Sequence, residues 1–216
     1  MKILSTKVLS DTQRQLLTKE GMHVVEYDAI QITPKEIAFS VPIENAIITS
    51  KNAAKIVVEA NLKIDHLFCV GNKTSKYLED NGYRVVEVAS KASELAHQII
   101  TNHSGKSFLF FCGNKRREEL PRILKEHKVQ FKEEVVYTTT LNLQKIEGDF
   151  DAVLFFSPSA VQSFAFENTF EDVKVFCIGK TTAAEAMQFT NSIYSPEIPS
   201  VQNTINELLK IVGLSS

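Results

Sequence analysis

The sequence predicts an α/β protein built from two flavodoxin-like, doubly wound parallel-sheet domains. Short apolar segments alternate with helix-period segments, the pattern recurs once in the second half, and two stretches interrupt it at similar places in the halves. Alternating βαβ units of this kind favour parallel sheets with helices on both faces.

Apolar runs rich in β-branched and aromatic residues predict the strands. In the first half they lie near Ile3–Ser5, His23–Tyr27, Ala46–Thr49, His66–Val70 and Arg84–Val88. The second half repeats this order near Phe108–Cys112, Gln130–Thr138, Ala152–Phe156, Val175–Ile178 and Ser192–Tyr194.

The two halves resemble each other weakly, which predicts a tandem duplication. AIITSKNAAKIV resembles AVLFFSPSAVQSF, and FCVGNKTSKYL resembles FCIGKTTAAEAM. The matched positions are Ser50 with Ser157, Gly71 with Gly179, and Thr74 with Thr182.

Two stretches do not look like ordinary turns between strand and helix. Asp28–Ile43 carries two prolines and little helical period, and Tyr137–Phe150 carries a threonine run and a glycine. We interpret them as two chain crossings between domains with swapped halves. The predicted domains are residues 1–32 with 142–216, and residues 33–141.

Composition is that of an ordinary globular protein, with 44% hydrophobic and 23% charged residues among 216. There is no apolar run of the roughly 20 residues that a membrane helix needs. A net charge of −2 argues against nucleic acid as the main partner. Because no secretory leader follows Met1, we expect a cytoplasmic protein. We also expect a monomer that binds a small molecule and neither nucleic acid nor membrane.

The cysteines are expected to be buried thiols. Cys69, Cys112 and Cys177 each lie in an apolar run close to a glycine, and no pair has C-x-x-C spacing. The histidines form no ligand cluster either, so we predict no metal site.

Several turns after predicted strands are rich in hydroxyl and amide residues. Such residues commonly cap helices. Taken together, however, the turns also predict a binding surface for several anionic groups, because ligands of open α/β sheets lie at the carboxyl ends of the strands and helix N-termini attract anions. The turns are Thr49–Asn52, Gly71–Ser75, Gly113–Lys115, Ser157–Ser159 and Gly179–Thr182.

Common phosphate and hydrolase motifs are absent. The chain has no G-x-G-x-x-G, no G-x-x-x-x-G-K-[ST] and no G-x-S-x-G. Glu118 and Glu119, which neighbour three arginines, are interpreted as a solvated helix face and not as an acid–base pair. We therefore expect no cofactor.

Tyr137 is the titratable residue that stands out, since it ends an apolar strand inside one presumed crossing. It could pack against a neighbouring domain. Alternatively, because phenols are protonated at neutral pH, it could donate a proton or a hydrogen bond to a ligand.

Six motifs in order resemble the uroporphyrinogen-III synthase family across nearly the whole chain. They are T-S-x-N-A, V-G-x-x-T, C-G-N-x-R-R-x-E-L-P, VVYTT, F-x-S-P-S-A-V and I-G-x-T-T-A. The resemblance implies a cofactor-free cyclisation of hydroxymethylbilane to uroporphyrinogen III, with loss of water and inversion of ring D through a spiro intermediate. It also implies a cleft between two domains that binds the substrate carboxylates through backbone amides and hydroxyl groups.

The resemblance identifies Tyr137 as the residue that assists departure of the hydroxyl group. It also implies that four hydroxyl residues line the cleft and bind substrate, namely Ser50, Thr74, Ser157 and Thr182. The polar turns predict further substrate-binding residues, which are Asn52, Gly71, Asn72, Asn114, Ser159, Gly179 and Thr181, and Lys7 is added to this set. Lys7 departs from the family pattern, which has an arginine after the first strand. A lysine there offers a point charge instead of a bidentate carboxylate contact.

Two other classes share a double α/β layout. A glycosyltransferase-like enzyme would need a glycine-rich phosphate turn or an acidic ribose partner, and neither stands out. A hinge-type binding protein usually carries an export signal.

Overall fold

In the computed structural model, residues 1–39 and 41–213 are described. The strands are β1 (Lys2–Ser5), β2 (His23–Glu26), β3 (Ile30–Pro34), β4 (Ile43–Ile48), β5 (Ile64–Val70), β6 (Val85–Ala89), β7 (Ser107–Gly113), β8 (Gln130–Leu141), β9 (Ala152–Phe155), β10 (Lys174–Cys177) and β11 (Ile193–Tyr194). The helices are α1 (Asp11–Thr18), α2 (Lys51–Glu59), α3 (Asn72–Asp80), α4 (Ala92–His103), α5 (Glu119–Glu126), α6 (Pro158–Glu167), α7 (Lys180–Ala186) and α8 (Val201–Ile211).

Contacts divide the chain into two compact units. Unit 1 contains Met1–Gln31 and the chain from Thr140 onward, and unit 2 contains Ile32–Thr139. The division predicted from sequence, 1–32 with 142–216 and 33–141, stays a prediction about where independently folding domains begin and end.

Unit 1 contains a five-stranded sheet in the order β11-β10-β9-β1-β2, and its strand pairs are parallel. Numbered within the unit, this order is 5-4-3-1-2, which is the flavodoxin-like order. Helices α1 and α8 contact each other, as do α6 and α7.

Unit 2 contains a six-stranded sheet in the order β3-β8-β7-β4-β5-β6. Pairs β4–β5, β4–β7, β5–β6 and β7–β8 are parallel. Apart from β3, its strands follow the spatial order of unit 1, with β7 and β8 in the places of β1 and β2. This is the arrangement that swapped halves of a duplicated chain require, and the duplication itself stays a prediction.

All ten predicted strands are present, and β3 is an additional strand. It lies at the edge of its sheet beside β8. The Lys35 amide donates to the Val136 carbonyl at 2.8 Å, and the Asn142 amide donates to the Ala29 carbonyl at 2.9 Å, so the two segments run antiparallel. An edge position tolerates Pro34, which cannot donate to a ladder.

The cores follow from the side-chain alternation of buried strands. In unit 1, Ile3 and Leu4 are both fully buried but belong to different apolar clusters. Ile47 and Ile48 of unit 2 divide in the same way. Both faces of each sheet are therefore covered, as is usual for parallel sheets.

The prediction of buried thiols is confirmed, since Cys69, Cys112 and Cys177 are free and buried. Burial raises the pKa of Cys69 and Cys112 to about 11, and that of Cys177 to about 12. None of the helices in the described ranges is long and apolar enough to cross a membrane.

Tyr27 packs in the core of unit 1, where its hydroxyl has no hydrogen-bond partner among the described residues. Tyr27→Phe should therefore raise the free energy of unfolding by about 1 kcal/mol at pH 7, because it removes an unsatisfied polar group. Tyr83→Phe should lower it by about 1 kcal/mol, because the Tyr83 hydroxyl donates to the carbonyls of Val57 and Leu62. Urea unfolding of both variants measures the contrast, and destabilisation by Tyr27→Phe would contradict it.

The stability of Tyr27→Phe should also depend on pH differently from that of the parent protein. Burial raises the pKa of Tyr27 from 10.0 to about 12, so the unfolded chain releases this proton first as pH increases. Ionisation of Tyr27 does not affect the free energy of unfolding below pH 10 and lowers it as pH rises towards 12, because the unfolded chain alone then loses the proton. Urea midpoints measured across this range should fall less in Tyr27→Phe than in the parent protein.

Candidate functional site

The candidate site of unit 2 lies at the carboxyl edge of its sheet, where the parallel strands end together. The turns after β4, β5 and β7 begin with Thr49, Gly71 and Asn114, and Tyr137 lies on β8. Because β4, β5 and β7 are neighbours in the sheet, these turns meet at one edge.

Tyr137 and Ser50 are joined by a side-chain hydrogen bond, in which the phenol donates to Ser50 Oγ at 3.1 Å. Ser50 is also the N-cap of α2, since its Oγ accepts from the Ala53 amide at 3.1 Å. The capping interpretation of this turn is therefore right but incomplete. Ser50 Oγ accepts two hydrogen bonds and keeps its own proton for a third contact.

Gly113 lies directly against the Tyr137 ring. The two residues pair across β7 and β8, immediately after a register shift at Cys112. A Cβ at position 113 would lie 2.4 Å from the Tyr137 ring atoms Cε2 and Cζ. Gly113 belongs to a predicted polar turn but was not predicted as a site residue, because its contact with Tyr137 depends on the pairing of two strands that are distant in the sequence.

Asn114 binds the backbone of β8 on both sides of Thr138. Its side-chain oxygen Oδ1 accepts from the Thr139 backbone amide at 2.7 Å, and its backbone amide donates to the Tyr137 carbonyl at 3.2 Å. The side-chain oxygen of this predicted substrate-binding residue is thus already engaged within unit 2.

The next turn of unit 2 brings Gly71, Asn72 and Thr74 to the start of α3. Gly71 has φ of +90°, a conformation that L side chains rarely adopt, which explains the glycine. Thr74 is buried and Asn72 exposed, while Asn52 is half-buried in the first turn of α2. In the described chain no side chain caps α3. The Thr74 amide donates to the Gly71 carbonyl, which leaves the amides of Asn72 and Lys73 as the donors that an anion could use.

Unit 1 has a comparable carboxyl edge. Ser157 caps α6, with its Oγ accepting from the Ala160 amide at 3.1 Å, as Ser50 does for α2. Lys7 is exposed after β1, and Thr182 is buried in α7. The other predicted residues of this edge are Ser159, which is half-buried, Gly179, which is buried, and Thr181, which is exposed.

Tyr27 and Tyr137 occupy similar places in their sheets but differ in environment. Tyr27 follows β2 and is 9% exposed in an apolar cluster. Tyr137 on β8 is half-buried, and its hydroxyl contacts Ser50. Of these two tyrosines, Tyr137 therefore has its phenol beside polar groups of a turn that could bind a ligand.

Exposed lysines accompany these turns, and of these lysines only Lys7 was predicted from the sequence to bind substrate. They are Lys7, Lys51, Lys73, Lys115 and Lys180. In residues 1–39 and 41–213 none of the five forms a side-chain ion pair. Lys51, Lys73 and Lys180 lie in the first turns of helices, where the helix dipole disfavours a cation by about 0.3–1 kcal/mol. A bound anion would reverse this unfavourable interaction.

Arg116 differs from these lysines because its charge is already paired. Its Nε and one terminal nitrogen each donate to Glu133 at 2.8 Å, and its other terminal nitrogen contacts Glu118 at 2.6 Å. Burial lowers its pKa, but the hydrogen bonds to Glu133 and Glu118 outweigh this and raise it. The guanidinium therefore fastens the turn after β7 to β8.

No group of three or more His, Cys, Asp and Glu side chains that could hold a metal ion occurs within the described ranges. The carboxyl edges carry hydroxyl groups, backbone amides, lysines and the half-buried phenol of Tyr137.

Comparison with known proteins gives these features a family context. A family model described as uroporphyrinogen-III synthase HemD matches residues 11–206. An uncharacterized protein of Rickettsia prowazekii (strain Madrid E) is 29% identical over 168 residues, which cover 76% of this chain and 56% of that protein. The chain thus spans little more than half the length of this curated relative.

Two solved structures share the fold. Uroporphyrinogen-III synthetase from Helicobacter pylori 26695 has a TM-score of 0.75 at 19% identity, covering 97% of this chain and 99% of that one. A mutant uroporphyrinogen III synthase from the extremely thermophilic bacterium Thermus thermophilus has a TM-score of 0.67 at 13% identity, covering 100% of both chains. These likenesses confirm the predicted α/β class with two parallel-sheet domains. Because the family model matches most of the sequence, the chain belongs to the uroporphyrinogen-III synthase family.

Proposed function

We propose that this protein cyclises hydroxymethylbilane to uroporphyrinogen III, a reaction of tetrapyrrole biosynthesis. The observation that carries the proposal is the Tyr137 phenol, hydrogen-bonded to Ser50 among turns suited to anions. Family membership supports the reaction class. The cytoplasmic location and the monomeric state stay predictions.

In the proposed reaction, Tyr137 assists loss of the hydroxyl group from ring A. Its phenolic proton passes to the departing oxygen, which leaves as water, and ring A becomes an N-protonated azafulvene whose positive charge balances the phenolate. The Ser50 hydroxyl, which accepts from Tyr137 in the resting site, then turns to donate to the phenolate. The substituted carbon of ring D attacks the azafulvene, and the spiro intermediate fragments and recloses with ring D reversed. The proton that the ring releases on final closure restores the phenol.

The carboxyl edges bind the acetate and propionate groups in this proposal. Helix N-termini, capping serines and exposed lysines supply donors to carboxylates, and charge-assisted hydrogen bonds contribute about 1.5–3 kcal/mol each. Binding several carboxylates at once holds the chain ends of the bilane in a near-attack geometry. The net charge of −2 is no obstacle, because the binding charges are local.

The isomer formed tests the function directly. In water, hydroxymethylbilane closes through the unsubstituted carbon of ring D and gives the type I macrocycle. Purified protein incubated with fresh hydroxymethylbilane should give mainly the type III porphyrin after oxidation and chromatography. Type I product at the rate of a protein-free control would refute the proposed function.

Tyr137→Phe should lower kcat by about ten- to a thousandfold, because it removes the proton donor and keeps the ring. Tyr27→Phe is the matched control, since the Tyr27 hydroxyl is buried in an apolar cluster and has no hydrogen-bond partner among the described residues. We expect the control to retain parental kcat and KM in the same assay. Equal kcat values for Tyr137→Phe and the parent would show that departure of water needs no assistance from this phenol.

Replacing Lys51, Lys73 and Lys115 by Gln should raise KM about two- to fivefold for each lysine, since an exposed ionic contact is worth roughly 0.5–1 kcal/mol. The effect should shrink as salt increases, because exposed charges are screened. Lys55→Gln, an exposed change farther along α2, is the control. Initial rates across ionic strengths measure the difference, and an unchanged KM in the triple variant at low salt would exclude these lysines from binding.

A further inference from the structure

The contact between Gly113 and Tyr137 is too close for any other residue type. A Cβ on Gly113 would lie 2.4 Å from two Tyr137 ring atoms and 2.8 Å from the hydroxyl oxygen. Real Cβ contacts essentially never fall below 3.0 Å. Gly113 has no positive φ, so its backbone would accept a larger residue and the contact alone requires glycine.

The backbone on both sides of this contact is held in place. The Asn114 amide donates to the Tyr137 carbonyl at 3.2 Å, and Asn114 Oδ1 accepts from the Thr139 amide at 2.7 Å. Paired in this way, β7 and β8 cannot easily separate to admit a methyl group. The ring of Tyr137 is the far end of a flexible side chain, and it is the part that can move.

We propose that Gly113 and Ser50 are positioning residues for Tyr137. Gly113 leaves the space in which the ring lies, and Ser50 accepts from the phenol at 3.1 Å and thereby fixes the position of the phenol oxygen. A methyl group at position 113 swings the ring away from Ser50 and leaves the fold intact. This inference rests on the proposed function, in which the Tyr137 proton reaches the departing hydroxyl group.

Kinetics of Gly113→Ala test the catalytic part of the inference. We expect kcat to fall about tenfold or more with KM nearly unchanged, because the proton donor is misplaced while the carboxylate contacts remain. In a Tyr137→Phe background, Gly113→Ala should change kcat by less than about threefold, since its effect passes through the phenol. Gly105→Ala is the control, as a Cβ there meets nothing within 4 Å. Fully additive losses in the double variant would overturn the inference.

A spectroscopic measurement tests the position of the Tyr137 ring and does not depend on enzyme activity. The chain has five tyrosines, so protein labelled with ¹³C at tyrosine Cζ gives few signals, and Tyr137→Phe identifies the one from Tyr137. Gly113→Ala should shift this signal and leave that of Tyr27 in place. An unmoved Tyr137 signal would overturn the inference whatever the activity. If the parent protein forms no type III product, the proposed function fails while this measurement still decides whether Gly113 positions the ring.

Ser50→Gly provides a second variant if Gly113→Ala fails to fold. Glycine costs a helix N-cap only a few tenths of a kcal/mol, but it removes the acceptor of the Tyr137 hydrogen bond. We expect a shifted Tyr137 signal and a fall in kcat that exceeds any rise in KM, since Ser50 is also a proposed donor to a substrate carboxylate. Parental kcat in Ser50→Gly would contradict the positioning role.

Discussion

The burial of both faces of each parallel sheet is the constraint on which the rest of the structure depends. Ala46, Ile47 and Ile48 of β4 are fully excluded from solvent, and the four residues of β9 are buried as well. Polar side chains are disfavoured on such strands, because an unpaired buried polar group costs about 1–3 kcal/mol. Polar groups are therefore accommodated more easily near the strand ends and in the turns that follow them, and the candidate site lies there for this reason.

The same turn residues serve both the fold and the site. Ser50 and Ser157 make equivalent capping bonds to the amides of Ala53 and Ala160. Only Ser50 also accepts from a tyrosine hydroxyl in the described chain. Capping fixes the position and orientation of the Ser50 side chain, and the oxygen of a phenol bonded to it acquires a defined position as a result. In this turn, the structural role is what makes a functional role possible.

Sequence patterns predicted the strands well because apolar runs ended by polar turns are local signals. Strand β3 was not predicted, because it is a short edge strand that ends in Pro34. Its partner, β8, lies about a hundred residues away along the chain, and no local sequence pattern indicates that the two strands pair. Tyr27 and Tyr137 follow similar apolar segments, yet one phenol is buried without a partner among the described residues and the other meets Ser50. The resemblance to a known family, and not the local pattern, assigned Tyr137 its role. The bonds of Arg116 to Glu133 and the contact of Gly113 with Tyr137 depend on pairing between β7 and β8, which the sequence alone does not give in register.

Three residues that break local rules lie at the carboxyl edge of unit 2. Lys51 and Lys73 oppose the dipoles of α2 and α3, and Gly113 gives up side-chain packing at the end of β7. Each of these three residues lowers the free energy of unfolding by a fraction of a kcal/mol to about 1 kcal/mol, and packing of the core does not require these residue types. Each also has a use if the edge binds a polycarboxylate beside an oriented phenol. Tyr27 shows the contrast, because its unsatisfied hydroxyl breaks a rule inside a core where no ligand can reach. Local conflict therefore indicates function only where it occurs with access for a ligand, and in unit 2 both conditions hold at the edge that carries Tyr137.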